Sequence, residues 1–504
     1  MPIEPIYEKI NLNNRKKYFS EPNKCQVKTT VATGEIKEVL SINATAGVFG
    51  SETTNNQVTF NGKTVFYVCY VDSQGQVCKI ETSGDFSGVV KNESIKEGFK
   101  CILSPQVIKT EYDMSGVSLS LSATLSVCVE TVENVEFSAL VGGEGLVLDN
   151  QDVEMCVSLG IKESAYPIEE EFELNYPVKE VLYHRASAVI TATQCGISSI
   201  IVDGKVFLTI IALQNQEKYA IIKETRTVPF RMEIECEDAM PTMLATAKVY
   251  EKALKTQVEV DEETKKSKVL VSLNLYFAGE VFSNQTLTIC KDAFSTKENL
   301  SLQMENCLLA KPFEPVFSSE KVNGRANTEE LPIGVRLLAV GGEKAEIVSV
   351  DKLDVGLRLT GVTSATCYFA DGEGVVFTRK VETPFERVFE LNIPLEQVDV
   401  DFTTKCENSS ARLVSATEVE LETEINLTVY AEQKSTVKCI KEVATTGEKI
   451  ENPHAISVYI PMENEELWSL SKRLNVCPET LVTTNPELTF PLTGKERIVV
   501  YRQR

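Results

Sequence analysis

Apolar and polar residues alternate along much of the chain with a period of two. In VSLSLSATLSVCV, Val117, Leu119, Leu121, Ala123, Leu125, Val127 and Val129 point one way, while serines, Thr124 and Cys128 point the other. Successive side chains of a β-strand leave on opposite faces, so the pattern predicts a strand with one buried and one wet face. VLVSLNLYF (Val269 to Phe277) has the same character. So has VELETEINLTVY, where Val419, Leu421, Ile425, Leu427 and Val429 share a face.

These strands belong to a larger repeat. IKEVL begins at Ile36 and VKEVL at Val178, and Lys37 and Lys179 each precede a glycine, Gly62 and Gly204, by 25 residues. Gly62 opens GKTVFYVCYVDSQGQVCKIETSGDF and Gly361 opens GVTSATCYFADGEGVVFTRKVETPF. In both, an aspartate follows after ten residues and a phenylalanine after 24, and the middle copy reaches Phe230 from Gly204 after 26. Asp72-Ser73-Gln74-Gly75 and Asp371-Gly372-Glu373-Gly374 read as hairpin turns, since aspartate bonds the turn backbone and glycine accepts positive φ. The expected fold is mainly β, with three tandem β-rich repeats, sandwich-like or barrel-like, and a small β-α-α-β domain at the C-terminus. The expected divisions are an N-terminal arm with the first β-domain over 1–157, a second over 178–308, a third over 330–444 and the small domain over 455–504. Ser158 to Pro177, Phe313 to Glu330 and Thr445 to His454 read as linkers. The first 30 residues are compatible with a strand, a helix or a partly ordered arm.

From Ile456 the pattern changes. ISVYIP predicts a short strand. Asn464 is placed to cap a helix, with Glu465 and Glu466 in its first turn and Lys472 and Arg473 in its last, where each charge suits the helix dipole. Leu467, Leu470, Ser471 and Leu474 give that helix one apolar face. Asn475 ends it, Pro478 fits the start of a second helix with Leu481 inward, and RIVVY (Arg497 to Tyr501) closes the domain as a strand. Trp468, the only tryptophan, reads either as a core residue of this small domain or as a partly exposed anchor for a partner.

A chain of 504 residues exceeds what one core can fill, and 43% hydrophobic content suffices for several. The formal net charge of −22 and the lack of a basic stripe exclude a nucleic-acid surface. The N-terminal MPIEPIYEKINLNNRKKYF has no apolar run of a signal peptide, and no stretch is apolar enough for a membrane helix, so cytosolic synthesis is expected. In that compartment the fourteen cysteines, without any CxxC pair, are expected to be reduced and mostly buried. Catalytic candidates are sparse. His184 reads as a strand-edge residue and His454 as a loop residue, with no HExxH pattern. Cys477 lies at a predicted helix N-terminus, where thiolate is favoured, but reads as a half-buried cap. No GxxxxGK phosphate loop occurs. Glu169 to Glu171 and Asp261 to Glu263 read as solvated loops rather than calcium sites. No catalytic, cofactor-binding or metal-binding residue is expected, and the chain is not expected to be an enzyme.

The C-terminal order, with Tyr459, Leu467, Trp468, Leu470, Leu481, Asn485, Pro486 and Ile498, resembles the LysM module. It departs from that family at Asn464, usually glycine, and at Glu466, usually serine or threonine, which argues against chitin or peptidoglycan binding. Val58 to Val90 and Gly356 to Phe385 resemble the SPOCS domain of clostridial and bacillar proteins, the middle repeat being the most diverged. Tandem SPOCS domains followed by LysM resemble the SipL family of clostridial spore-coat morphogenetic proteins. That resemblance implies a non-enzymatic, cofactor-free adaptor, made in the mother-cell cytoplasm and sitting at the forespore surface or coat. It also implies contact with the coat basement-layer ATPase through the LysM region. Trp468, Glu465, Lys472, Arg473 and Asn485 are then the candidate partner-binding residues. The competing reading is a cell-wall glycan binder.

Overall fold

A computed structural model of the chain describes residues 3–20, 25–215, 221–354, 356–390, 398–449 and 455–501. Three repeats of one β-sandwich account for most of it, followed by a small α/β module.

In the first repeat the chain runs through β1 (Glu4–Phe19), β2 (Gln26–Ala32), β3 (Ile36–Thr54), β4 (Gln57–Asp72), β5 (Val77–Lys91), β6 (Lys100–Ser115) and β7 (Ser118–Glu144). β3, β4 and β5 form an antiparallel meander, and β6 pairs with one edge of β7. β1 and β2 share the other edge of β7: β2 pairs with Ser118 to Thr124 and β1 with Cys128 to Glu144. Among the described residues of this N-terminal segment, β1 and β2 are therefore strands of the first sandwich. The two sheets face each other through Phe60, Phe66, Val68 and Phe86 from the meander and alternate residues Leu119 to Val129 from β7. The period-two face holds as expected except at Val117, which lies exposed in the β6–β7 turn.

The plan recurs. The second repeat uses β8 (Val147–Leu174), β9 (Val178–Cys195), β10 (Ser199–Gln214), β11 (Ile221–Glu235), β12 (Leu244–Val260) and β13 (Ser267–Phe294). The third uses β14 (Glu298–Pro312), β15 (Val316–Asn327), β16 (Arg336–Leu353), β17 (Gly356–Ala370), β18 (Val376–Glu390), β19 (Val398–Ser415) and β20 (Glu418–Glu448). In each, a meander (β9–β11, β16–β18) covers a sheet centred on one long strand (β13, β20). Two segments expected as linkers are strands instead. Ser158 to Leu174 is the second half of β8, and β15 occupies most of Phe313 to Glu330. The acidic run Glu169 to Glu171 accordingly lies in β8, with Glu171 2.8 Å from Lys268 of β13, rather than in a solvated loop. Asp261 does lie in a turn, accepting hydrogen bonds from the backbone of Glu263 and Thr264.

The sequence signature of the repeat has a direct geometric cause. Gly62 faces Phe86 across β4 and β5, Gly204 faces Phe230, and Gly361 faces Phe385. In each pair the phenyl ring lies over the glycine, so that a Cβ there would come within 2.2, 2.3 and 2.6 Å of a ring carbon. The aspartates make the expected turns. Asp72 Oδ1 accepts from the backbone N–H groups of Gln74 and Gln76, and Asp371 Oδ1 accepts from those of Glu373 and Val375. Gly75 and Gly374 have φ of 80° and 91°.

The repeats pack on one another at two apolar joints. The far ends of the long strands meet in a hub, where Ala139, Ile289 and Cys439, at equal spacing in the chain, converge with Ile10, Phe137, Met155 and Leu309. The meanders meet at Cys69, Ile211 and Tyr368, also equivalent positions, with Leu40 and Leu182.

Candidate functional site

The C-terminal module consists of β21 (Ile456–Tyr459), α1 (Leu467–Leu474), α2 (Pro478–Thr484) and β22 (Ile498–Tyr501), the order expected, with β21 antiparallel to β22. Both helices pack on the inner face of this two-stranded sheet, burying Leu470, Leu474, Leu481, Ile498 and Val500. Its helix entry differs from expectation. The N-cap is Glu466, without a side-chain cap, and the first turn of α1 holds no acidic residue. Asn464 instead lies in the preceding turn at φ 60°, a left-handed conformation that asparagine tolerates and glycine adopts freely. Asn475 caps the helix end in the left-handed region, Pro478 opens α2, and Cys477 is the half-buried residue before it, all as expected.

The five candidate residues divide into two sets. Glu465, Arg473 and Asn485 hold the module together. Glu465 accepts from Arg473 Nε and Nη2, both at 2.8 Å, and from the Met462 N–H. Those bonds, Arg473 first, keep its carboxyl below the ordinary range. Asn485 is buried and bridges to β22 through the Val499 N–H and carbonyl, each at 2.8 Å. Trp468 and Lys472 face outward from α1, but their partner lies in the same chain. Trp468 Nε1 donates to Asp292 Oδ2 at 2.8 Å, and Lys472 Nζ lies 2.7 Å from both Asp292 oxygens. The indole meets Phe294 edge to face with centroids 5.2 Å apart. Asn475 donates to the Thr296 carbonyl and accepts from Lys449, which also reaches the Ser295 carbonyl. Burial alone would raise the Asp292 carboxyl, but the hydrogen bonds from Lys472 and Trp468 outweigh it and the net shift is downward. α1 thus docks the module onto the end of β13 and the turn that follows. Asp292 carries no local signal in the sequence, and its partners lie more than 170 residues away.

What docking leaves open is the outer face of the two-stranded sheet. Ile456 pairs with Tyr501 and Val458 with Val499, which places these four side chains on one face. Ile456, Val458 and Tyr501 are each more than half exposed, as are Ile460 and Met462 just beyond β21. This apolar strip is the candidate contact surface.

Two clusters of ionic groups elsewhere join the repeats. Glu343 of β16 is buried and accepts from Arg185 of β9 and from Lys223 of β11 at 2.6 Å. Burial opposes the charge, but the two cations hold its carboxyl below the ordinary range. Where all three repeats meet, Lys248 bridges Glu130 at 2.6 Å and Asp401 at 3.4 Å, and Lys17 also contacts Asp401, beside a cavity of about 180 Å³. His184 lies on β9, an edge strand as expected, but that edge is covered by the first repeat. Its Nε2 is 3.0 Å from the Tyr67 hydroxyl, and burial lowers its pKa to about 4. His454 lies outside the described residues.

Residues 35–115, which span β3 to β6, match the family model described as SipL, SPOCS domain. Neither the curated proteins nor the solved structures gave a match. Among the described residues, no helix is long and apolar enough to cross a membrane.

Proposed function

We propose that the chain is a non-enzymatic structural adaptor of the spore coat, made in the mother cell and held at the forespore surface by contact with the coat basement-layer ATPase. The observation that carries this reading is the match of residues 35–115 to the SPOCS domain of SipL. Two structural features support its extension along the chain. The strand order of the matched repeat recurs in the second and third, each with its glycine under a phenyl ring. In the C-terminal module, Asn464 has the positive φ that suits the glycine usual in LysM at that place. The partner contact is assigned to the strip Ile456, Val458, Ile460, Met462 and Tyr501, because Trp468 and Lys472 are engaged within the chain.

The test is co-purification of the full-length chain with the ATPase of the same organism, beside the double variant Val458→Asp/Tyr501→Ser. The wild type is expected to be retained and the variant lost, with circular dichroism unchanged. Failure of the wild type to bind rejects the partner. Retention on insoluble peptidoglycan instead supports the glycan-binding alternative.

A further inference from the structure

Cys307 on β14 and Cys439 on β20 place their sulfurs 3.1 Å apart, although 132 positions separate them in the chain. The register pairs Cys307 with Val437 and Glu305 with Cys439, so the two are diagonal neighbours on one face of the sheet. That face is turned into the hub, against Ile10, Phe137, Met155 and Ile289. Cys439 is fully enclosed and Cys307 retains 6% of its exposure. Close packing holds the sulfurs in contact, about 1 Å beyond the length of a disulfide bond of about 2.05 Å.

We propose that Cys307 and Cys439 are an oxidisable dithiol that closes to a disulfide under a peroxide, fastening the two ends of the third sandwich at the hub. Peroxide oxidises the Cys307 thiol to a sulfenic acid and releases one water. The Cys439 thiol attacks that sulfur, the S–S bond forms, and its proton leaves with the hydroxyl as a second water. The two sulfurs supply the two electrons that reduce the peroxide. The closed loop contains β15 to β19, so the link constrains the whole third repeat in its unfolded state. Burial, together with the neighbouring Cys439, holds the Cys307 thiol far above its usual range, so thiolate is scarce and the reaction accelerates as pH rises.

The full-length protein is treated with hydrogen peroxide in mildly alkaline buffer, its remaining thiols are alkylated under denaturing conditions, and its peptides are mapped without reduction. The expected product is a 307–439 linked pair, lighter by two hydrogens than the dithiol, cleaved by dithiothreitol and several-fold more abundant than any other cysteine pair. Urea unfolding of the oxidised protein then shifts to higher concentration and returns on reduction. Recovery of both residues as alkylated thiols, while half-exposed Cys156 or Cys477 oxidises, overturns the proposal. So does linkage of either residue to other cysteines no less often. The wild-type map needs no substitution. Cys439→Ala adds a second reading, in which Cys307 accumulates as a sulfenic acid trapped by a dimedone-type reagent.

Discussion

Gly62, Gly204 and Gly361 lie in the middle of strands, where glycine is ordinarily unfavourable for lack of a side chain to pack. Here the facing phenyl ring supplies the missing contact, and the ring in turn is packed in the core at Phe86 and Phe230. A methyl at Gly62 would meet the Phe86 ring at 2.2 Å and the Gly47 carbonyl at 2.5 Å, so neither backbone nor ring can yield cheaply. Gly62→Ala is expected to destabilise the first repeat by about 2 kcal/mol, read as a lowered urea midpoint with unchanged slope. His184 gives a second prediction at this scale. Its pKa in the folded protein, about 4, lies below its ordinary 6.5, so the unfolded chain binds the proton more readily. The stability it contributes is complete above 6.5 and is lost as pH falls toward 4, with about 2 kcal/mol gone by pH 5. His184→Asn should flatten the change in unfolding free energy between pH 7.5 and 5. An unchanged slope would show that the neutral ring is not the group responsible.

At the scale of elements, docking of the C-terminal module rests on few groups. Removal of the Asp292 carboxylate deletes one charge-assisted bond to an indole and one part-exposed ion pair, together about 2 kcal/mol. Asp292→Ala is therefore expected to free α1, and the only tryptophan should report it through a red-shifted emission and easier quenching by iodide. Unshifted emission would mean that Phe294 and the Asn475–Thr296 bond suffice. The elements themselves were largely legible in the sequence. Alternation marked β7, β13 and β20, the glycine–phenylalanine spacing marked the strand pairs, and the proline and asparagine signals bounded α2 and ended α1. Ser158 to Leu174 and Val316 to Asn327 were not legible, for a physical reason. Both form outer strands of their sheets, whose exposed positions are charged or small, and such strands read as polar linkers. The start of α1 was misplaced because Asn464 has the chemistry of a cap but serves a turn, with Glu465 drawn away by Arg473. The site was half legible. Trp468 read either as a core residue of the small domain or as an anchor for a partner, and nothing local indicated that it would bond Asp292.

Across the whole molecule, three copies of one sandwich are joined rather than strung out, and the joints differ in chemistry. Between the meanders of the first and second repeats lies the neutral Tyr67–His184 contact, between those of the second and third lies the buried Arg185–Glu343–Lys223 cluster, and Lys248 with Glu130 and Asp401 ties the three sandwiches together elsewhere. A buried ion cluster is costly to dehydrate, so it adds little net stability against a well-packed apolar equivalent, but it penalises any arrangement that leaves one member alone. The cluster therefore specifies how the second and third repeats dock. Glu343→Gln keeps the shape but leaves one acceptor oxygen in place of the two that now take Arg185 and Lys223, so that an amide N–H faces one of two uncompensated cations. It is expected to cost about 3 kcal/mol and to open the joint to limited proteolysis before either sandwich unfolds. Glu343 has its carboxyl held below the ordinary range, so its contribution is present at neutral pH and fades as pH falls through that lowered value. Acid should thus loosen the joints in order, the His184 joint first and the Glu343 joint at lower pH. The combined variant Arg185→Met/Lys223→Met/Glu343→Leu should recover most of the stability lost in Glu343→Gln and remove the low-pH step. If Glu343→Gln alone behaves as wild type in both proteolysis and unfolding, the second and third meanders are held by their apolar joint and the Glu343 cluster is incidental to how they dock.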